Sequence, residues 1–169
     1  ITAGVTTILL PNISSKYTKG MLDLCAEFPK NCFPMMGLHP CDVSEENYEQ
    51  EIAHIEKEFA KGNYIAVGEI GLDLYWDKST LAIQKKAFIR QIELAKKYNL
   101  PIAIHVRDSF TEAIEIIEKL NDKNLRGVFH CFTGNTTDAQ RVIDLGGFYL
   151  GIGGVLTFKN SGLDKTIKE

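Results

Sequence analysis

Long apolar runs are missing from this sequence. None approaches the roughly 18 residues that a membrane-spanning helix needs, so no membrane partner is expected. Cys25, Cys32, Cys41 and Cys131 include no Cys-x-x-Cys pair, and neither a secretory leader nor a basic amphipathic targeting segment is recognisable. A reducing, cytoplasmic setting is the expectation. An excess of one charge sign is also lacking. The formal net charge of −3 exerts no general pull on a polyanion, so phosphate binding has to come from a local patch or from bound metal. Glycine is absent where a nucleotide-binding sheet would want it, in the turn Pro11 to Ser15 after the first apolar run. No Lys-Ser or Lys-Thr follows Gly151-Ile152-Gly153-Gly154, so that stretch is read as a small-residue strand end and not as a P-loop.

What is present is an alternation of strand-like and helix-like periods over 169 residues, enough chain for one sizeable core. Strands are predicted over Val5 to Leu10, Cys32 to Leu38, Tyr64 to Asp73, Pro101 to Val106, Arg126 to Phe132 and Phe148 to Ile152. Between them, Lys19 to Phe28 places Met21, Cys25 and Phe28 on one face. A second helix places Tyr48, Ile52, Ile55 and Phe59 together, and Thr80 to Tyr98 aligns Leu81, Phe88, Ile92 and Ala95. Ser109 to Glu112 has the form of a capping box before Ala113, Ile116, Ile117 and Leu120. Thr137 to Gln140 is read as the cap of a helix that turns Ala139, Val142 and Ile143 inward. Six strand–helix units with short connections predict an α/β fold with a parallel sheet, part of a (β/α)8 barrel with two strands unaccounted for.

Ligand-type side chains recur where three of these strands end: Glu69, His105 and His130. A barrel gathers such ends at one mouth, and imidazole with carboxylate suits zinc, manganese or a related divalent ion. Period two puts Glu69 on the face of Ile65 and Val67, His105 on that of Ala103 and His130 on that of Val128. The competing reading of Glu69 is an interior carboxylate tied to Lys or Arg. Arg107, two residues beyond His105, puts a fixed positive charge at the same mouth, for phosphate or for a salt bridge to Glu69 or Asp73. Tyr75 and Trp76 in the following loop could stack a base or form an apolar lid. Cys131 is expected to face the helices as a packed thiol, and His54 to be solvated.

The motifs Gly37-Leu38-His39-Pro40, Gly68-Glu69-Ile70-Gly71-Leu72-Asp73, His105-Val106-Arg107 and His130-Cys131-Phe132-Thr133-Gly134, in that order and spacing, resemble the TatD-like metal-dependent deoxyribonucleases. The resemblance covers essentially the whole chain. It implies a (β/α)8 barrel, a centre of two divalent ions (Mg, Mn or Zn) and hydrolysis of phosphodiester bonds, with DNA as substrate. Carried over by motif, Glu69 would bridge the two ions, His105 and His130 would ligate one of them, and His39 would contact phosphate. Asp73 is a candidate catalytic residue that orients the attacking water, with local hydrogen bonding of a turn carboxylate as its competing role.

The family's opening His-x-His strand and closing Thr-Asp-Ser-Pro-like motif are not found here: the histidines are His39, His54, His105 and His130. Ile1 to Gly4 leads straight into a strand, and Leu163 to Glu169 reads as a helix cut short. The expectation is an internal fragment, one barrel domain over residues 1–169 incomplete at both ends, with first and last strands missing and sheet edges open to self-association. Two other functions are weighed. An amidohydrolase acting on C–N bonds is disfavoured because Glu69 stands where those barrels use a carboxylated lysine. A non-catalytic truncated barrel could act in assembly through its edges.

Overall fold

The computed structural model describes residues 3–168; Ile1, Thr2 and Glu169, and the expectations that fall on them, lie outside the described residues. The elements are β1 (Ile8–Pro11), α1 (Ser15–Glu27), β2 (Cys32–Met36), α2 (Tyr48–Lys61), β3 (Ala66–Asp73) and α3 (Leu81–Tyr98). They continue with β4 (Ile102–Arg107), α4 (Phe110–Leu120), β5 (Gly127–Phe129), α5 (Thr136–Asp144), β6 (Phe148–Leu150) and α6 (Leu163–Thr166). All strand pairs are parallel, and the order along the sheet is β1-β2-β3-β4-β5-β6. A doubly wound sheet reverses its order at a switch point. This one never does, so it is an arc of six units of a (β/α)8-type barrel.

Alternation along each strand divides the side chains between two environments. On β4, Ile102 and Ile104 pack with Phe88, Ile92 and Ile114 in the main core, fully buried under the helices. Ala103 points the other way, into a small cluster with Met35, Ala66 and Val128 on the concave side. The apolar stripes read from α2 and α3 are the faces that seal the first environment: Ile52, Ile55 and Phe59 from one helix, Phe88, Ile92 and Ala95 from the other. The concave side holds an apolar depression of about 350 Å³ that includes Leu9 and Tyr149, which remain 53% and 75% exposed. Gly71 lets β3 lie close against β4: its φ is +144°, and a Cβ there would come within 2.0 Å of the His105 carbonyl oxygen.

Several local expectations are corrected. The register of β3 against β4 shifts between Val67 and Ile70. Val67 therefore joins the helix-side core while Glu69 projects from the mouth, and the two do not share a face. β1 starts at Ile8, and α1 at Ser15. β5 ends at Phe129, and Cys131 turns out of the strand line with φ +47°, so its thiol is exposed instead of packed against helices. Asn135, with Asp138 at N3, makes the capping box of α5, and Ile143 faces solvent. The Ser109 hydroxyl makes no cap for α4; it donates to the Leu72 carbonyl at 2.8 Å. His54 is half-buried, with Nε2 2.9 Å from Thr18 Oγ1. Among the described residues no helix is long and apolar enough to cross a membrane.

Candidate metal centre

The C-terminal ends of the strands deliver the polar groups to one place. Glu69 projects from the irregular stretch within β3, four residues before the strand ends, His105 from the last half of β4, and His130 follows directly after β5. Glu69 Oε1 lies 3.3 Å from His105 Nδ1 and 3.2 Å from His130 Nδ1. The sequence-predicted trio is thus assembled around one carboxylate oxygen. His39, on the loop after β2, closes the group from the other side: its ring centroid is 4.4 Å from that of His105. His39, Glu69 and His105 each bring a ligand-type atom to within 4.8 Å of one another. His130 stands at the open margin, its side chain 57% exposed.

Asp73 is buried, and both of its oxygens are engaged. Oδ2 lies 2.8 Å from His105 Nε2, and Oδ1 accepts from the Tyr75 N–H at 3.0 Å. Each of these oxygens keeps a further lone pair, so the two bonds leave room for the expected role of orienting a water. Its position is behind His105, not in front of it. When the Nε2 proton is donated to Asp73, Nδ1 faces Glu69 and can serve as a ligand atom once a cation replaces the proton between them, the carboxylate–histidine arrangement that fixes ligating imidazoles. The donor set therefore fits a divalent cation: a carboxylate and imidazoles converge, with the Asp73 carboxylate on the far nitrogen of one ring.

The electrostatics follow from this packing. Burial alone would lower the His105 pKa, but the hydrogen bonds to Glu69 and Asp73 outweigh it and raise it. Burial would raise Glu69, yet the bond to His105 and the charges of His130, His105 and His39 bring it below the usual carboxylate range. Asp73 is lowered too, against the cost of burial, chiefly through His105 and the Tyr75 amide. His39 is pushed down by burial and by the charge of His105. Its Nδ1 accepts the Cys41 N–H at 3.2 Å, so the neutral ring presents Nε2–H as a donor. Burial, then Asp73, raises the Cys41 thiol to about 11.

Arg107 forms no ion pair with Glu69 or Asp73 among the described residues. Its guanidinium instead sits 3.5 Å from the Tyr75 ring centroid and 5.7 Å from that of Trp76. Trp76 is 73% exposed, so the pair is not a sealed lid. Tyr75, His105, Arg107 and His130 line a depression of about 420 Å³ that also takes in Cys131 and Thr133.

A family model described as TatD related DNase matches residues 1–169. The chain belongs to that family. It is 39% identical over 135 residues to the uncharacterized metal-dependent hydrolase YabD of Bacillus subtilis, covering 80% of this chain and 52% of that one. It is 34% identical over 164 residues to the 3'-5' ssDNA/RNA exonuclease TatD of Yersinia pseudotuberculosis, covering 96% and 62%. The crystal structure of YjjV, a TatD homologue from Escherichia coli, superposes with a TM-score of 0.84 at 30% identity over 98% of this chain and 63% of its own. This TatD-related chain thus spans between about half and two thirds of the length of these relatives.

The structure brings the expected trio of Glu69, His105 and His130 together at one mouth and sets His39, expected to contact phosphate, beside His105.

Proposed function

We propose that this mouth binds divalent metal and serves the hydrolysis of phosphodiester bonds in single-stranded nucleic acid, with DNA as the principal substrate. The observation that carries the reading is the convergence of Glu69 with His105 and His130, with Asp73 fixing the ring of His105, in a chain of the TatD-related family. Glu69, His105 and His130 would hold the metal, two ions (Mg, Mn or Zn) in a complete site, with Glu69 as a ligand to them. Divalent cations there would lower the pKa of a bound water and stabilise negative charge on the phosphodiester oxygens.

The remaining residues bind and orient. Asp73 holds His105 and is a positioning residue. His39 donates Nε2–H to a phosphate oxygen, its other nitrogen being held by Cys41. Arg107 supplies a permanent charge for the phosphate. Tyr75, with Arg107 against one face, and the exposed Trp76 beside it offer ring faces to unpaired bases without selecting a sequence. The Yersinia relative, named as an exonuclease of single-stranded DNA and RNA, supports this substrate class. A reducing, cytoplasmic setting accords with four free cysteines. The assembly reading has one observation in its favour, the exposure of Leu9 and Tyr149 beside strands at the two ends of the sheet order; it calls for concentration-dependent oligomers without hydrolysis.

The test is degradation of an end-labelled single-stranded DNA by the intact protein with manganese, beside Glu69→Ala. Loss of cleavage in the variant by about two orders of magnitude or more is expected, given that even second-layer partners of metal ligands are worth 10–100-fold. Equal cleavage by both proteins overturns the reading.

A further inference from the structure

Helix α3 buries two glutamines, Gln84 and Gln91, in the same stripe as Leu81, Phe88 and Ala95. Seven residues apart, they lie on one face of the helix, about two turns from each other. Neither side chain is wasted on the core. Gln84 Oε1 accepts the Asp73 N–H at 2.8 Å, and Gln84 Nε2 donates to the Asp73 carbonyl at 2.9 Å. Gln91 does the same for Leu38, accepting its N–H at 2.7 Å and donating to its carbonyl at 3.2 Å. Each amide thus pairs with both polar groups of one residue at a point where the backbone leaves the sheet.

The two clamped residues differ in what lies beyond them. Leu38 precedes His39, which is assigned to substrate. Asp73 carries the carboxylate that meets His105 Nε2 at 2.8 Å. Hydrogen bonds to the peptide groups on both sides of Asp73 fix the position and rotation of its backbone, and with them the point from which its side chain departs. Thr80 Oγ1 accepts a further bond from Gln84 Nε2 at 2.8 Å, which holds the amide in the orientation the clamp needs.

We propose that Gln84 is a positioning residue for the metal centre: through the Asp73 backbone it holds the carboxylate that orients His105. This rests on the metal-centre reading above. Gln91 provides the internal comparison, a clamp of the same chemistry on the same helix that is not attached to a metal ligand's partner.

The experiment is calorimetric titration of Mn²⁺ into the intact protein and into Gln84→Met and Gln91→Met, well below the melting temperature of each. Methionine keeps the length of the side chain and removes its hydrogen bonds, the two to the clamped backbone in each case and the one to Thr80 at Gln84. Gln84→Met is expected to weaken Mn²⁺ binding about tenfold, the low end of what outer partners of ligating histidines contribute. Gln91→Met should lose comparable thermal stability and keep its Mn²⁺ affinity. In an Asp73→Ala background, Gln84→Met should add almost nothing further, because the two act in series. Unchanged affinity in Gln84→Met, equal weakening in both glutamine variants, or full additivity with Asp73→Ala would each overturn the proposal. Failure of the unsubstituted protein to bind Mn²⁺ is a separate result, which overturns the metal-centre reading itself. Should Gln84→Met not fold, Gln84→Glu, which retains the acceptor for the Asp73 N–H, takes its place with the same expectations.

Discussion

On the helix side of β3 and β4, Ile70, Leu72, Ile102 and Ile104 are fully buried among aliphatic and aromatic neighbours, with no polar partner required. A few ångströms away, at the mouth of the same strands, Glu69, Asp73 and His105 are held by polar partners: one another, His130 and the Tyr75 amide. The first region is stabilised by removing apolar area from water, an effect roughly proportional to that area. The second is stabilised pairwise, so each group depends on its neighbour being present and suitably protonated. One pair of strands therefore carries a region that tolerates conservative apolar change and another in which single-atom changes are felt.

The sharpest break of this contrast is Phe88→Ala. It empties a fully buried site in the main core, and a loss of about 3–5 kcal/mol in chemical denaturation is expected. The Mn²⁺ affinity of the protein that remains folded should be unaltered. Glu69→Gln is the converse. It keeps the shape and an acceptor, so unfolding free energy should shift by no more than about 1 kcal/mol, while metal affinity collapses. A large stability loss with retained affinity would erase the distinction between the two regions.

Glu58 tests pairwise stabilisation away from the mouth. It is buried on α2 and accepts from Lys61 Nζ and, at 2.8 Å, from the Tyr64 hydroxyl. Burial pushes its pKa up, but these bonds outweigh that and hold it below the ordinary 4.5. A carboxylate depressed in the folded state contributes stability above its unfolded pKa and loses it as pH falls through the folded value. Glu58→Gln should therefore cost about 1–2 kcal/mol at pH 7 and progressively less as the pH falls below 4.5 in urea melts. A cost that grows on acidification would contradict the assignment.

The same contrast explains what could be read from sequence. Helix-side packing was legible because it is periodic: Ile52, Ile55 and Phe59, or Phe88, Ile92 and Ala95, recur at helical spacing and are buried as expected. The strand ends were legible as a set because ligand-type residues closed successive units. Parity failed at Glu69, since a register shift inside β3 leaves no mark in the residue types. It failed at Cys131 because β5 stops at Phe129 and the chain turns through a left-handed residue. Gln84 and Gln91 were overlooked for a different reason. A polar residue in an apolar stripe reads as solvent-facing until the backbone it pairs with is known.

The central claim is that Glu69, His105 and His130 form a metal centre. The most direct measurement is anomalous diffraction from crystals of the intact protein grown with Mn²⁺. The account predicts a peak within coordination distance of the Glu69 carboxylate and an imidazole nitrogen of His105 or His130. Manganese bound only elsewhere, with Glu69 still in direct contact with both histidines, would contradict it.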